Sequence, residues 1–287
     1  MRPTVVMGGD GLIGEAYLAQ ARAQGLDLPW TSRRPIQIRA GAVALDLERP
    51  GALPWRAWKR AGCGHVLIGA AMTSLAACER EPARSMRLNY IRPLQLAQAA
   101  LEQGLTPILF STDYVFDGRV GGYREDDAVH PLNVYGRHKA ALDAAALKLS
   151  RVMVLRLAKV WTACLDDGGL LASIAGPLGR GETVRAAADM VFSPVRLEEL
   201  LTAITRLQAQ DFHGLIHIGG REVWTRWELA LALARRLQLP ETNLIRIELA
   251  DLGEPFERPR RTDLDSSLLQ TLTDLPCQPL SAWLASL

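Results

Sequence analysis

Short apolar runs alternate with amphipathic stretches along the first half of the chain, and each change of period reads as a change of element. Thr4–Met7 is a β-branched-rich run, the mark of a buried strand. It gives way to Gly8-Gly9-Asp10-Gly11-Leu12-Ile13-Gly14, and then to a helical period from about Glu15 to Gln24. Apolar runs return at Leu26–Trp30, Val43–Leu47, His65–Gly69, Ile108–Phe110 and Val152–Leu157. Helical stretches separate them: one at 50–62 punctuated by Pro54, a long one from Pro82 to Gln103, and an Ala/Leu-rich one after Tyr135. Strand and helix in alternation at this spacing predict an α/β fold of Rossmann type, a doubly wound parallel sheet. Beyond Leu157 the alternation loosens. Glycine and proline break it at 166–169 and 176–181, and a helical period resumes in the run from Pro194 to Leu200. Leu215–Gly220 reads as a short strand. Trp224–Leu237 reads as a helix with Thr225 as N-cap and Glu228 three residues on, the pattern of a capping box. The charged stretch Arg258–Asp265 precedes a last short helical segment, and no internal repeat is visible.

Composition changes this picture little. The chain has 287 residues, 48% of them apolar, and a net charge of +2, so it is globular and nothing in its charge points to nucleic acid or an anionic membrane. The four cysteines, Cys63, Cys78, Cys164 and Cys277, form no C-x-x-C pair and read as reduced thiols of an intracellular protein. The histidines show no ligand spacing; the acidic run Glu125–Asp127 could bind Mg²⁺ but reads more readily as solvated, so no metal ligand is assigned. No signal-peptide pattern and no run of ~20 apolar residues is found, which makes the cytoplasm the expected location.

The chemistry sits in three stretches. The glycines at 8, 11 and 14 lie directly after a strand and before a helix. There they allow a tight turn, close approach of backbone to a pyrophosphate and close helix–strand packing, with the diphosphate on the helix N-terminus. Gly8, Gly11, Leu12, Ile13 and Gly14 are therefore candidate cofactor residues. The second strand runs into Thr31-Ser32-Arg33-Arg34, where an acid would accept from a ribose 2′-hydroxyl. Ser32, Arg33 and Arg34 are donors instead and suit a 2′-phosphate, so NADP(H) is the expected cofactor, with NAD(H) as the second choice. Tyr135 and Lys139 are four residues apart, hence on one face of a helix, where a fixed cation favours the phenolate. Thr112, at the end of the preceding strand, supplies a hydroxyl to hold a carbonyl oxygen against that phenol. Proton donor, pKa tuner and oxyanion partner are the parts of a carbonyl-reduction site. The domain reading is a dinucleotide-binding domain over 1–157, completed by about 191–218, and a smaller, mostly C-terminal substrate lobe over 158–190 and 219–287.

These motifs resemble those of the extended short-chain dehydrogenase/reductases, and within that group the dTDP-4-dehydrorhamnose reductases. The resemblance covers nearly the whole chain. It rests on the glycine motif, on Ser111-Thr112-Asp113-Tyr114-Val115-Phe116-Asp117-Gly118, on Tyr135 to Lys139 and on Arg258-Pro259-x-x-Thr262-x-Leu264-Asp265. It implies Thr112, Tyr135 and Lys139 as the catalytic triad and Asn89 as the helix asparagine that supports the lysine. It further implies Asp46 and Leu47 beside the adenine, and Ala70, Ala71, Met72 and Ser111 along the cofactor. Thr73, Asp113, Tyr114, Val115, Lys159, Trp161 and Arg258 would face the substrate, although the tryptophan reads more readily as core. The implied reaction is NADPH reduction of a keto sugar, nucleotide-linked and of the 4-keto-6-deoxy class, in carbohydrate biosynthesis. Three departures fall on the substrate side. Lys159 stands where the family has an aromatic, Asp189-Met190-Val191-Phe192-Ser193-Pro194-Val195 loses the family's Gln and Gly, and Met72 replaces an aromatic.

Two other readings stay open. One is a sugar-nucleotide epimerase or dehydratase with bound NAD, disfavoured by the missing acid after the second strand and by Tyr114 following Asp113. The other is a non-catalytic, NADP-binding regulatory subunit of another enzyme. A homodimer is compatible with either.

Overall fold

The computed structural model describes residues 2–39, 41–275 and 278–287, so Cys277 lies outside the described residues. The chain forms two compact units. The first takes Met1–Thr112, Val134–Arg156 and Ala203–Ile216, and the second takes Asp113–Asn133, Leu157–Thr202 and His217–Leu287.

The first unit is built on a seven-stranded sheet. Its strands are β1 (Thr4–Met7), β2 (Trp30–Ser32), β3 (Val43–Ala44), β4 (His65–Ile68), β5 (Thr106–Thr112), β6 (Met153–Leu157) and β7 (Gly214–Ile218), in the order β7-β6-β5-β4-β1-β2-β3. The ladders β1–β2, β1–β4, β2–β3 and β4–β5 are parallel. Helices α1 (Leu12–Ala23), α2 (Arg92–Glu102) and α3 (Val134–Ala146) belong to the same unit. Every residue of β1, β4 and β6 is buried, as in a parallel sheet covered on both faces. Strand order reverses at β1, which lies between β2 and β4; in open α/β sheets ligands bind beyond the carboxyl ends at such a switch point. Met7 aligns with Thr31 and Ile68, and Ile68 with Leu109, so β5 carries Phe110, Ser111 and Thr112 past the level at which its neighbours stop.

The predicted Rossmann-type sheet is thus present, with shifted edges. The second strand starts at Trp30 because Pro29 has no N–H for the ladder and contributes only its carbonyl, to Val6 N–H at 2.9 Å. The helix expected at 50–62 forms only over Trp55–Arg60, after Pro54. The long helix expected from Pro82 to Gln103 is three pieces: Pro82–Met86, a π-helical turn over Arg87–Ile91, and α2. Pro93 explains the break. It lacks the N–H that would reach the Asn89 carbonyl four residues back, and Arg92 N–H donates to the Arg87 carbonyl five back.

The second unit holds three two-stranded ladders. Val160–Trp161 pairs in parallel with Val195–Arg196, Val191–Phe192 antiparallel with Trp224–Thr225, and Val184–Ala187 in parallel with Leu244–Ile247. Helix α4 (Arg226–Arg236) starts with the expected capping box between Thr225 and Glu228. Its core packs Leu229, Leu233 and Phe192 around Trp161. Residues 113–133, assigned from the sequence to the dinucleotide domain, group with this unit. Tyr123 stacks on Phe116 with ring centroids 4.1 Å apart and donates its N–H to the Asp263 carbonyl, contacts no local pattern encodes. Among the described residues no helix is long and apolar enough to cross a membrane.

Candidate active site

The turn from β1 into α1 shows three glycines doing different things. Gly8 has φ +87°, and a Cβ there would lie 3.0 Å from Ala70 N. A Cβ on Gly14 would lie 2.3 Å from the Gly8 carbonyl, so only glycine lets α1 seat against the turn. Gly11 differs: its φ is −93°, and an added Cβ would meet nothing closer than the Gly8 carbonyl at 3.5 Å. The protein's own packing does not require glycine at 11. Gly11 is also the N-cap of α1 and supplies no side-chain cap, so the backbone N–H groups at the helix start stay available to an anion. These features fit a dinucleotide. Leu12 is exposed and Ile13 half-buried.

At the end of β2, Ser32 is buried, and its hydroxyl accepts from Arg34 N–H at 2.9 Å and donates to Asp10 Oδ2 at 3.1 Å. Arg34 Nε reaches the same oxygen at 3.0 Å. Arg33 is exposed. Asp10 is a residue the sequence reading overlooked. No acid follows β2, yet the glycine turn delivers one to that place. Asp46 is exposed, its carboxylate accepting from Glu48 N–H, while Leu47 is buried and its carbonyl accepts from Arg92 Nε. Leu47 lines a cavity of about 350 Å³ with Leu53, Trp55, Arg92 and Ala99.

After β4, Ala71 and Thr73 are exposed and Ala70 and Met72 half-buried. Asn89, wholly buried in the π-helical turn, fixes this loop. Its carbonyl accepts from Met72 N–H and its amide donates to the Met72 carbonyl, both at 2.9 Å. The amide also reaches Ser85 Oγ at 3.1 Å, and Ser85 bonds His138 Nδ1 at 2.9 Å. Asn89 therefore holds the loop that bears Met72 and makes no hydrogen bond to the lysine.

Helix α3 opens with Val134 N–H on the Glu79 carboxylate at 2.7 Å. Tyr135 is half-buried and Lys139 buried one turn later. Lys139 Nζ donates to the Phe110 carbonyl at 2.8 Å, which ties α3 to the end of β5 where Thr112 stands. Burial lowers the Lys139 pKa to about 8, against the pull of Asp143 and Cys78. One further turn along, Asp143 Oδ2 receives Arg156 Nε and Ser111 Oγ, each at 2.9 Å. Burial pushes the Asp143 carboxyl up, opposed by Arg156, Ser111 and Lys139. Ser111, expected along the cofactor, spends its hydroxyl on this buried network. Asp143 was legible as a third member of the spacing Tyr135, Lys139, Asp143.

The remaining candidates lie in the second unit. Asp113 is buried, Tyr114 half-buried and Val115 fully buried. Arg258 makes a bidentate pair with Glu254 and donates to Tyr114 Oη at 3.3 Å. Lys159 reaches water, yet burial lowers its pKa, with Arg226 lowering it and Asp113 raising it. Trp161 is corrected as a substrate residue: it is 1% exposed and packs on Trp283 at 5.2 Å, because its strand pairing turns it into the core. Arg226, the first residue of α4, was not singled out from the sequence.

The family model for the RmlD substrate binding domain matches residues 1–287. A probable low-salt glycan biosynthesis reductase, Agl14 of Haloferax volcanii, is 30% identical over 70% of this chain and 69% of its own. Methionine adenosyltransferase 2 subunit beta of Danio rerio is 26% identical over 94% of this chain and 85% of its own. Among solved structures, a hypothetical dTDP-4-dehydrorhamnose reductase from Sulfolobus tokodaii superimposes with a TM-score of 0.82, at 26% identity and 98% coverage of both chains. A dTDP-4-dehydrorhamnose reductase from Bacillus anthracis in complex with NADP has the same fold, with a TM-score of 0.84 at 18% identity, over 99% of this chain and 97% of that one.

Proposed function

The chain belongs to the RmlD substrate binding domain family, as an NAD(P)-dependent oxidoreductase of the extended short-chain type, and we propose that it reduces the keto group of a nucleotide-linked 4-keto-6-deoxy sugar. NADPH when bound supplies the hydride. Tyr135 gives the proton to the carbonyl oxygen, and the Thr112 hydroxyl donates a hydrogen bond to that oxygen as its charge grows. Lys139 keeps the phenol acidic. Gly11 and the start of α1 receive the diphosphate of the cofactor, Ser32, Arg33 and Arg34 its 2′-phosphate, and Asp46, Leu47 and the 70–72 loop the rest. The observation that carries this reading is the Lys139 ammonium. It is buried one turn after Tyr135 and held by a neutral carbonyl, not by a carboxylate, so its charge acts on its surroundings. That arrangement costs stability and is expected where the charge is used.

The alternative, a regulatory subunit, is favoured by one observation, the likeness to a methionine adenosyltransferase subunit over 94% of this chain. One experiment separates the two. Single-turnover NADPH oxidation with dTDP-4-keto-6-deoxy-mannose is expected in the intact protein. In Tyr135→Phe it is expected to be slower by about 100-fold or more, with NADPH affinity unchanged. Tight NADPH binding without oxidation of any keto sugar would favour the regulatory reading.

A further inference from the structure

The second unit holds two cations that proton and hydride transfer do not use. Lys159 immediately precedes the Val160–Trp161 strand, and Arg226 is the first residue of α4. Both are fixed by one segment, residues 190–195. The Met190 carbonyl accepts from Arg226 N–H at 3.1 Å, and Val195 N–H donates to the Lys159 carbonyl at 3.0 Å. Between those two bonds the segment pairs Phe192 with Trp224 and Val195 with Val160. The Arg226 guanidinium lies 5.9 Å from the Phe192 ring centroid. This is the stretch in which the sequence departs from its family pattern, and it meets the lysine that replaces an aromatic.

Charge balance sets these two apart from their neighbour. Arg258 is neutralised by Glu254 in a bidentate pair. Among the described residues, no carboxylate lies within ion-pair distance of Lys159 or of Arg226. Burial disfavours the charged form of both. Arg226 and Arg258 push Lys159 further down while Asp113 draws it up, and Arg258 pushes Arg226 down while Tyr114 draws it up. Like charges that are only partly balanced, in a partly dry setting, destabilise a fold, and a ligand that brings further counter-charge relieves that cost. Lys159 reaches water, and Arg226 does so in part, so a ligand can reach them.

We propose that Lys159 and Arg226 form an anion-binding subsite that receives an oxyanion of the substrate, either a phosphate of its nucleoside diphosphate or a carboxylate on its sugar. The proposal rests on the reading that the substrate is a nucleotide-linked sugar, and it makes these two residues determinants of which sugar nucleotide is accepted: a 6-deoxy sugar has a methyl group at C6 and leaves only the diphosphate for them, whereas a carboxylate there would replace the 6-deoxy substrate by a uronate. Their donors suit the task. The guanidinium presents a planar fork to two oxygens, and the ammonium adds a compact charge with three donors. A site with an aromatic in place of Lys159 would lack half of this charge.

Calorimetry on the full chain tests it with four probes: inorganic pyrophosphate, dTDP, UDP-glucose and UDP-glucuronate. Lys159→Gln and Arg226→Gln are each expected to weaken the relevant probes about tenfold, and the double variant about 100-fold, with NADPH affinity unchanged. Losses shared by all four probes identify the diphosphate as the anion, and losses confined to UDP-glucuronate identify the sugar carboxylate. Lys159 is exposed, so Lys159→Gln alone keeps the test valid if Arg226→Gln fails to fold. Binding of all probes within twofold of the intact protein overturns the proposal, as does an intact protein that binds none of them. If no keto sugar is reduced but probe binding still depends on Lys159 and Arg226, the reductase reading falls and the subsite stands.

Discussion

A buried ammonium is the most informative side chain in the molecule. Lys139 titrates near 8 in the folded chain against 10.5 when free, a burden of about 3 kcal/mol at neutral pH. Between those two values the unfolded chain holds the proton and the folded chain does not, so stability rises with pH across that window. Lys139→Met abolishes this rise. In urea unfolding the intact protein should gain about 2 to 3 kcal/mol on the variant between pH 7.5 and 10, while the variant loses activity; parallel curves would mean that the amine is not desolvated. Beyond the ends of β1 and β2, Asp10 takes Ser32 and Arg34 on one oxygen, and that carboxylate opposes a 2′-phosphate. Replacing Arg33 and Arg34 together by Ala should weaken NADPH by about tenfold or more and change NADH little. Asp10→Asn should shift the preference further toward NADPH. Fluorescence titration with both cofactors checks this, and an unchanged NADPH-to-NADH ratio would place the 2′-phosphate elsewhere. Local spacing made Tyr135 and Lys139 legible. It hid Asp10, and it hid the loop that Asn89 holds, because their partners lie 22 and 17 residues away along the chain.

Among the elements, the β1–α1 turn separates a structural glycine from a functional one. Gly14→Ala drives a Cβ into the Gly8 carbonyl and should destabilise by about 1 to 3 kcal/mol. Gly11→Ala has room and an ordinary φ, and should cost under about 1 kcal/mol while lowering NADPH affinity. Melting temperature and cofactor titration on the two variants should therefore change in opposite order. The strands of the large sheet were legible because burial on both faces leaves unbroken apolar runs. Two of the small ladders were not, since a two-residue strand such as Val160–Trp161 or Val191–Phe192 is too short to show a period of two. Prolines accounted for the misplaced edges at Trp30, Trp55 and Arg92, by removing donors where the periodicity ran on.

For the molecule as a whole, the division into two units sets an expectation for ligand footprints. NADPH should slow amide exchange at Gly8–Ile13 and through residues 70–72, and a sugar nucleotide should slow it at 159–161, 190–196 and 224–228. Hydrogen exchange with each ligand alone checks this; NADPH protection centred on 190–196 would refute the assignment of the cofactor to the first unit. The doubly wound sheet could be read from the order of patterns in the sequence. The membership of 113–133 could not, because it depends on Tyr123 meeting Asp263 and His217, contacts across 94 residues and more.

The π-helical turn at Arg87–Ile91 has a consequence for how such a chain can change its length. It is the place where the helical run has one residue more than an α-helix needs. Deleting a residue there would restore the regular winding and leave Leu96, Ala97 and Ala100 on the same face relative to Ser85, because the wide turn already absorbs the extra residue. The core against α2 would survive, and the hold of Asn89 on both backbone groups of Met72 would be lost. Between Pro82 and Pro93 the added residue therefore serves the loop after β4 and not the packing of the helix.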